Sequence, residues 1–456
     1  ASDVYKRQLY DRQPEKINHN TLLELVIDLY EAGDYAQGIT LAEKWVEQKS
    51  AKGENIYPLV YYYIAYGYDN LPSAEAAGPA EHYAALGEKA AADGCFPHRT
   101  EDYIVLKRLA AEYDLGMAYY YLGCLLYDKR VYGEAVADYE KAALKYPEFP
   151  TVHRNLALAY YNVKKLPQRA YEEMEKAFAL DETDARVYLE LDQLKKRLNV
   201  AVKERWSDME KHFDLVESRD DLYLEYVTLL NTLGEPEKAL GLIKARKFHQ
   251  WEGGEGKVAA QYLTALYQLA KAAVEKEDYA EAKELLLRAV GEYPHNLGEG
   301  KLESGQENNL YYLLGLVQEK LGEAKDAFES LTRACCGESE PVGMMYYNDQ
   351  PPEMIYYQGL AYRMLGEEEQ AVQRFCKLVD YGKEHIGDEI KIDYFAVSLP
   401  DLLIFEENLN ERNRKHCLFM MSLGLRGLGQ TDEAKACAEE LLSMDNAHQG
   451  IRVHDL

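Results

Sequence analysis

Residues 116–149 read GMAYYYLGCLLYDKRVYGEAVADYEKAALKYPEF. Gly123 stands at the eighth position of this stretch, Ala135 at the twentieth and Ala142 at the twenty-seventh, among Tyr119, Leu122 and Tyr139, and Pro147 closes it. Glycine or alanine at those three places fits two antiparallel helices that cross too closely for a larger side chain. The pattern specifies packing rather than chemistry.

The order recurs. Leu156, Ala157 and Tyr160 are followed, after one extra residue, by Ala170, Met174 and Ala177. Leu266 and Ala270 lead to Ala282, Leu286 and Ala289; Leu314 and Gly315 lead to Ala327, Leu331 and Ala334; Gly359 and Tyr362 lead to Ala371 and Phe375. Five units in register, with a period of about 34 residues, resemble the tetratricopeptide repeat. The resemblance implies an all-α, TPR-type α-solenoid, a right-handed superhelix of about ten helical hairpins. Weaker copies run from Leu22 through the turn Gly33-Asp34-Tyr35, from Val60 to Ala92, from Leu222 through Gly234-Glu235-Pro236, and from Cys417 to Leu442.

A chain of 456 residues would suit two or three ordinary domains, but a solenoid grows by adding units and needs no single core. With 79 acidic and 52 basic residues, the formal charge of -27 repels nucleic acid and anionic lipid, so a protein partner is expected and a nucleic acid is not. No apolar run approaches the roughly 18 residues of a membrane span. Seven cysteines without a CxxC pair, and dispersed histidines, point to buried thiols in a reducing compartment and to neither metal nor cofactor. The first eight residues, ASDVYKRQ, resemble a translated sequencing-library adapter and are set aside as an assembly scar. On that reading the native start is missing; a cytoplasmic location is expected, with export left open.

Interruptions of the rhythm are where function is sought. FHQWEGGEGK spans residues 248–257 and HNLGEGK spans 295–301, so GEGK occurs twice between hairpins. A phosphate loop needs GxxxxGK followed by Ser or Thr, whereas Val258 and Leu302 follow these lysines. Two readings stand side by side: a tight connection whose lysine caps a neighbouring carbonyl, or an interaction loop in which Trp251, Glu252, Gly253, Gly254, Glu255, Gly256 and Lys257, with Asn296, Gly298, Glu299, Gly300 and Lys301, meet a partner. A third interruption, KIDYFAVSLPDLLIFEENL at 391–409, is too apolar for a solvated linker and is expected to pack on its flanking helices.

Domain boundaries follow: degenerate hairpins at 9–102, an array with two strong repeats at 103–250, an array carrying the GEGK insertions at 251–389, and the apolar insertion with a terminal hairpin at 390–456. Projecting the strong units onto the concave-face positions of similar repeat proteins places Tyr120, Arg154, Tyr267, Tyr312 and Tyr356 at one position and Tyr127, Tyr161 and Arg363 at another. Such a tyrosine ladder suits a peptide or a glycan ligand. The chain has 39 tyrosines against 10 phenylalanines, however, and a chance ladder is a standing alternative. No catalytic constellation emerges. Glu252 and Glu255 beside Trp251 are the one acidic pair compatible with sugar chemistry, and this chain alone is not expected to be an enzyme.

Taken with RDDLYLEYVTLLNTLG, the motifs WEGGEGK, NLGEGK and KIDYF resemble the C-terminal TPR region of large bacterial proteins that carry an upstream mutarotase-like β-sandwich domain of unknown function. The resemblance covers most of the chain after Tyr103. It implies a scaffold for an adjoining, carbohydrate-related domain, or alternatively loops that complete a glycan site on that domain.

Overall fold

Helix ends are set by local chemistry at each turn. Asn18, Asp34, Asp184, Asp278 and Asn408 accept hydrogen bonds from first-turn amides. Proline opens the helices starting at Pro58, Pro150, Pro167, Pro236 and Pro352, where its missing N–H costs nothing. The computed structural model describes residues 17–72, 76–251, 253–301, 305–343, 349–391 and 404–454. Among them lie 23 α-helices and no strand, and twenty of the helices pair into ten antiparallel hairpins. The fold is all-α, built of helical hairpins of the tetratricopeptide-repeat type. The proposed scar and most of the KIDYF insertion lie outside the described residues, as does Glu252.

Small residues sit where the paired helices touch. A Cβ at Gly123 would lie 2.7 Å from the Tyr139 ring, at Gly315 2.7 Å from Leu331, and at Gly359 2.5 Å from Phe375. The partner comes sixteen positions later each time, so three hairpins share one register. Ala135, Ala142, Ala157, Ala170, Ala177, Ala270, Ala282, Ala289, Ala327, Ala334 and Ala371 are all buried. Close packing at these crossings leaves no room for extra methylenes.

The chain divides into two compact units, residues 1–182 and 183–456. The first contains four hairpins and a single helix, Thr100–Tyr113, that the small-residue pattern did not announce. Asp102 fixes its start: this fully buried carboxylate accepts from the amides of His98 (2.9 Å) and Arg99 (3.0 Å) and from the Tyr63 hydroxyl (2.8 Å).

The second unit contains six hairpins. Its first pair, Ala185–Arg197 with Val202–Lys211, holds a buried ion network: Arg205 forks onto Asp192 (3.0 and 2.6 Å) and reaches Glu225 (2.8 Å), which also accepts from Lys196. Burial opposes the charge on Glu225, but Lys196 and Arg205 outweigh it and bring the carboxyl down to about 2. The same unit closes on itself. Asn199 donates to the carbonyl of Ser443 (3.0 Å) and accepts from the amide of Asn446 (2.7 Å), so the end of its first helix meets the end of its last hairpin.

Candidate docking site at the paired glycine loops

The two GEGK copies, far apart in sequence, are joined by one side chain. Glu299, from the second copy, accepts from the amides of Gly256 (2.8 Å) and Ala259 (2.9 Å), which belong to the first copy and the helix it starts, Lys257–Glu275. These are orphan donors of a helix N-terminus, where the dipole also favours an anion. Glu299 thus acts as an N-cap supplied from another loop.

Further bonds fasten the pair. The Phe248 amide donates to the Asn296 carbonyl (2.9 Å). The Asn296 side chain donates to the carbonyls of Ile243 (2.8 Å) and Arg246 (2.9 Å), closing the end of helix Pro236–Ala245. Gly298 has φ +79°, and a Cβ there would stand 2.8 Å from the Phe248 carbonyl oxygen, so glycine is required both by its backbone and by this approach. Lys301 donates to the carbonyl of Val290, the last residue of helix Tyr279–Val290, and pairs with Glu307 (2.9 Å). The capping role proposed for a GEGK lysine is therefore filled at Lys301.

Arg246 and His249 attach the loop to the start of helix Asp220–Leu233. Asp220 accepts from the Arg246 guanidinium (2.6 Å), the His249 amide (2.9 Å) and the His249 ring (3.1 Å). Burial alone would raise its pKa, but these three bonds hold the carboxyl below its ordinary value.

The result is a cleft of about 280 Å³ lined by His249, Gln250, Trp251, Gly254, Glu255, Val258, Leu297 and Glu299. The Trp251 ring lies across Gly254, where a Cβ would come within 2.3 Å of the indole. Glu255, Gly256, Lys257 and Gly300 are exposed around it, and Gly253 turns the loop with φ +80°. The cleft can offer a flat apolar face, a fixed carboxylate edge and exposed charges of both signs. Among the described residues, no group of three or more His, Cys, Asp or Glu could hold a metal, and no helix is long and apolar enough to cross a membrane.

The tyrosine ladder is not brought together as an open surface. Tyr120, Tyr267 and Tyr356 are buried, packed on Phe149, Tyr357 and Phe375 respectively. Tyr312 is half-buried against Tyr357. Tyr127 is half-buried on Tyr132, Arg154 donates to Asn155, and Tyr161 is half-buried. Arg363, exposed, forks onto Glu368 and donates to the Gly427 carbonyl (2.9 Å), tying its hairpin to the next. Tyrosine here fills helix crossings, which accounts for its abundance.

A tetratricopeptide-repeat profile matches residues 113–185 and 267–341, and a second profile of the same repeat matches 416–448. Among solved structures, the chain is similar to yeast Tom70, at 10% identity, over 99% of this chain and 90% of that one, with a TM-score of 0.31. It is similar to the human IFIT1 dimer with m7Gppp-AAAA at 13% identity, over 97% and 94%, with a TM-score of 0.30. A tetratricopeptide repeat protein from Parabacteroides merdae aligns at 15% identity, over 66% and 98%, with a TM-score of 0.26.

Proposed function

We propose that this chain is a non-catalytic scaffold whose paired loops at 248–257 and 295–301 dock a neighbouring protein domain, the mutarotase-like β-sandwich implied by its motifs. Tetratricopeptide arrays serve as protein-interaction scaffolds because stacking exposes extended surfaces. The observation that carries the reading is the Glu299 cap, which holds two loops from different connections in one rigid frame around Trp251. A frame ordered before binding loses less entropy when a partner arrives.

A second reading is favoured by the indole beside Glu255 in the same cleft: the loops complete a glycan site shared with that domain. The two separate in one experiment. With a mutarotase-like β-sandwich domain co-expressed as the proposed partner, Glu255→Ala and Lys257→Ala are each measured for association and for sugar turnover. Weakened association with unchanged chemistry on the sandwich supports docking. Lost turnover with association intact overturns it in favour of the shared site.

A further inference from the structure

Residues 445–454, DNAHQGIRVH, do not stop at the last hairpin but fold back onto the first helices of earlier hairpins of the second unit. Gln449–Val453 forms a short helix whose first turn is capped by His448, which accepts from the Ile451 amide (3.3 Å). Ile451 and Val453 are 2% and 7% exposed. Two residues apart on a helix means about 200° around its axis, so opposite sides of the same turn are covered. A terminal helix lying flat on the end of a stack would bury one side only. This one sits in a groove.

The walls come from the first helices of four hairpins, Asp220–Leu233, Lys257–Glu275, Pro352–Met364 and Leu409–Gly427. Gln449 donates to Gln261 (3.1 Å) and reaches Thr232; Lys271 donates to the Val453 carbonyl (2.8 Å), meeting the negative end of the short helix. The Tyr357 hydroxyl bonds His454 Nδ1 (2.9 Å) and the Tyr267 hydroxyl (2.6 Å). Gly450 passes so close to Phe419 that a Cβ would fall 2.6 Å from its ring. Only Phe419 belongs to the last hairpin.

We infer that this wall is a peptide-binding groove, that residues 446–454 occupy it in cis, and that its partner in trans is a short helix-forming peptide with two aliphatic residues spaced two apart and an imidazole after them. The groove is separate from the paired loops, and its test does not depend on them. A tethered segment competes at an effective concentration in the millimolar range, so the intact chain is closed to such a peptide until the segment leaves.

The probe is a fluorescent synthetic peptide of residues 445–456, titrated by anisotropy into the full chain and into Ile451→Asp/Val453→Asp, which unseats the segment. The released variant binds at least about 10-fold more tightly than the unmodified chain, and adding Lys271→Met to it weakens binding again. Equal affinity for intact and released chains, or no effect of Lys271→Met, overturns the inference. If the double variant loses its helical circular dichroism, a chain ending at Ala447 replaces it. Loss of the fold in both would also overturn the inference, because a segment required for folding is not a displaceable ligand.

Discussion

Glu299→Ala removes the carboxylate that ties the two loops together, and its cost can be worked from the contacts. Both of its hydrogen bonds go to amides at the start of helix Lys257–Glu275, at 2.8 and 2.9 Å. Losing an N-cap costs about 0.5–2 kcal/mol. The upper end applies here because two donors are orphaned and the acceptor is ionised, so about 2 kcal/mol is expected. The loss falls on local opening rather than on the whole array. At a factor of ten per 1.4 kcal/mol, the amides of Gly256 and Ala259 then exchange with solvent about 30-fold faster. Hydrogen exchange read by mass spectrometry over 254–262 measures this directly, with Glu255→Ala as the exposed control that leaves the rate unchanged. Equal exchange in Glu299→Ala and the control would refute the cap and the rigid frame derived from it.

Ala135→Leu forces extra methylenes into a fully buried helix crossing and destabilises by about 1–3 kcal/mol, read as a lowered thermal midpoint. Arg205→Met strands Asp192 and Glu225 without their shared cation, and costs about 3–5 kcal/mol in urea unfolding of the second unit. Burial pushes Glu353 up to about 7 from an ordinary 4.5. Because its folded pKa lies above its unfolded one, its contribution is present below pH 4.5 and lost as pH rises through about 7. Glu353→Gln accordingly melts with wild type at pH 4.5 and above it at pH 8, and the same gap at both pH values would contradict this.

Most of the fold was legible because its determinant is local. Small residues such as Gly123 and Gly359 must recur at fixed spacing wherever paired helices touch, so the register can be read without coordinates. Helix Thr100–Tyr113 carries no such residue pattern, and its start depends on Asp102 meeting Tyr63, a contact 39 residues away. The loops were legible as a repeated tetrapeptide, but repetition suggests equal roles and the roles differ. The first copy supplies amide donors, whereas in the second Glu299 accepts from them and Lys301 caps a different helix. Asn296, which closes helix Pro236–Ala245, has no signal in its own neighbourhood. The tyrosine ladder misled because the position assigned to the groove is also where rings interlock, and at Tyr267 the chain's own residues 446–454 cover the wall. Only a long-range contact reveals that.

The loops at 248–257 and 295–301 are proposed to form one preorganised docking surface. An amide-exchange footprint of the chain with and without the proposed β-sandwich partner checks this. A single surface gives simultaneous protection of both loops, weakened together by Glu299→Ala. Protection of one loop alone, or of neither, would contradict it.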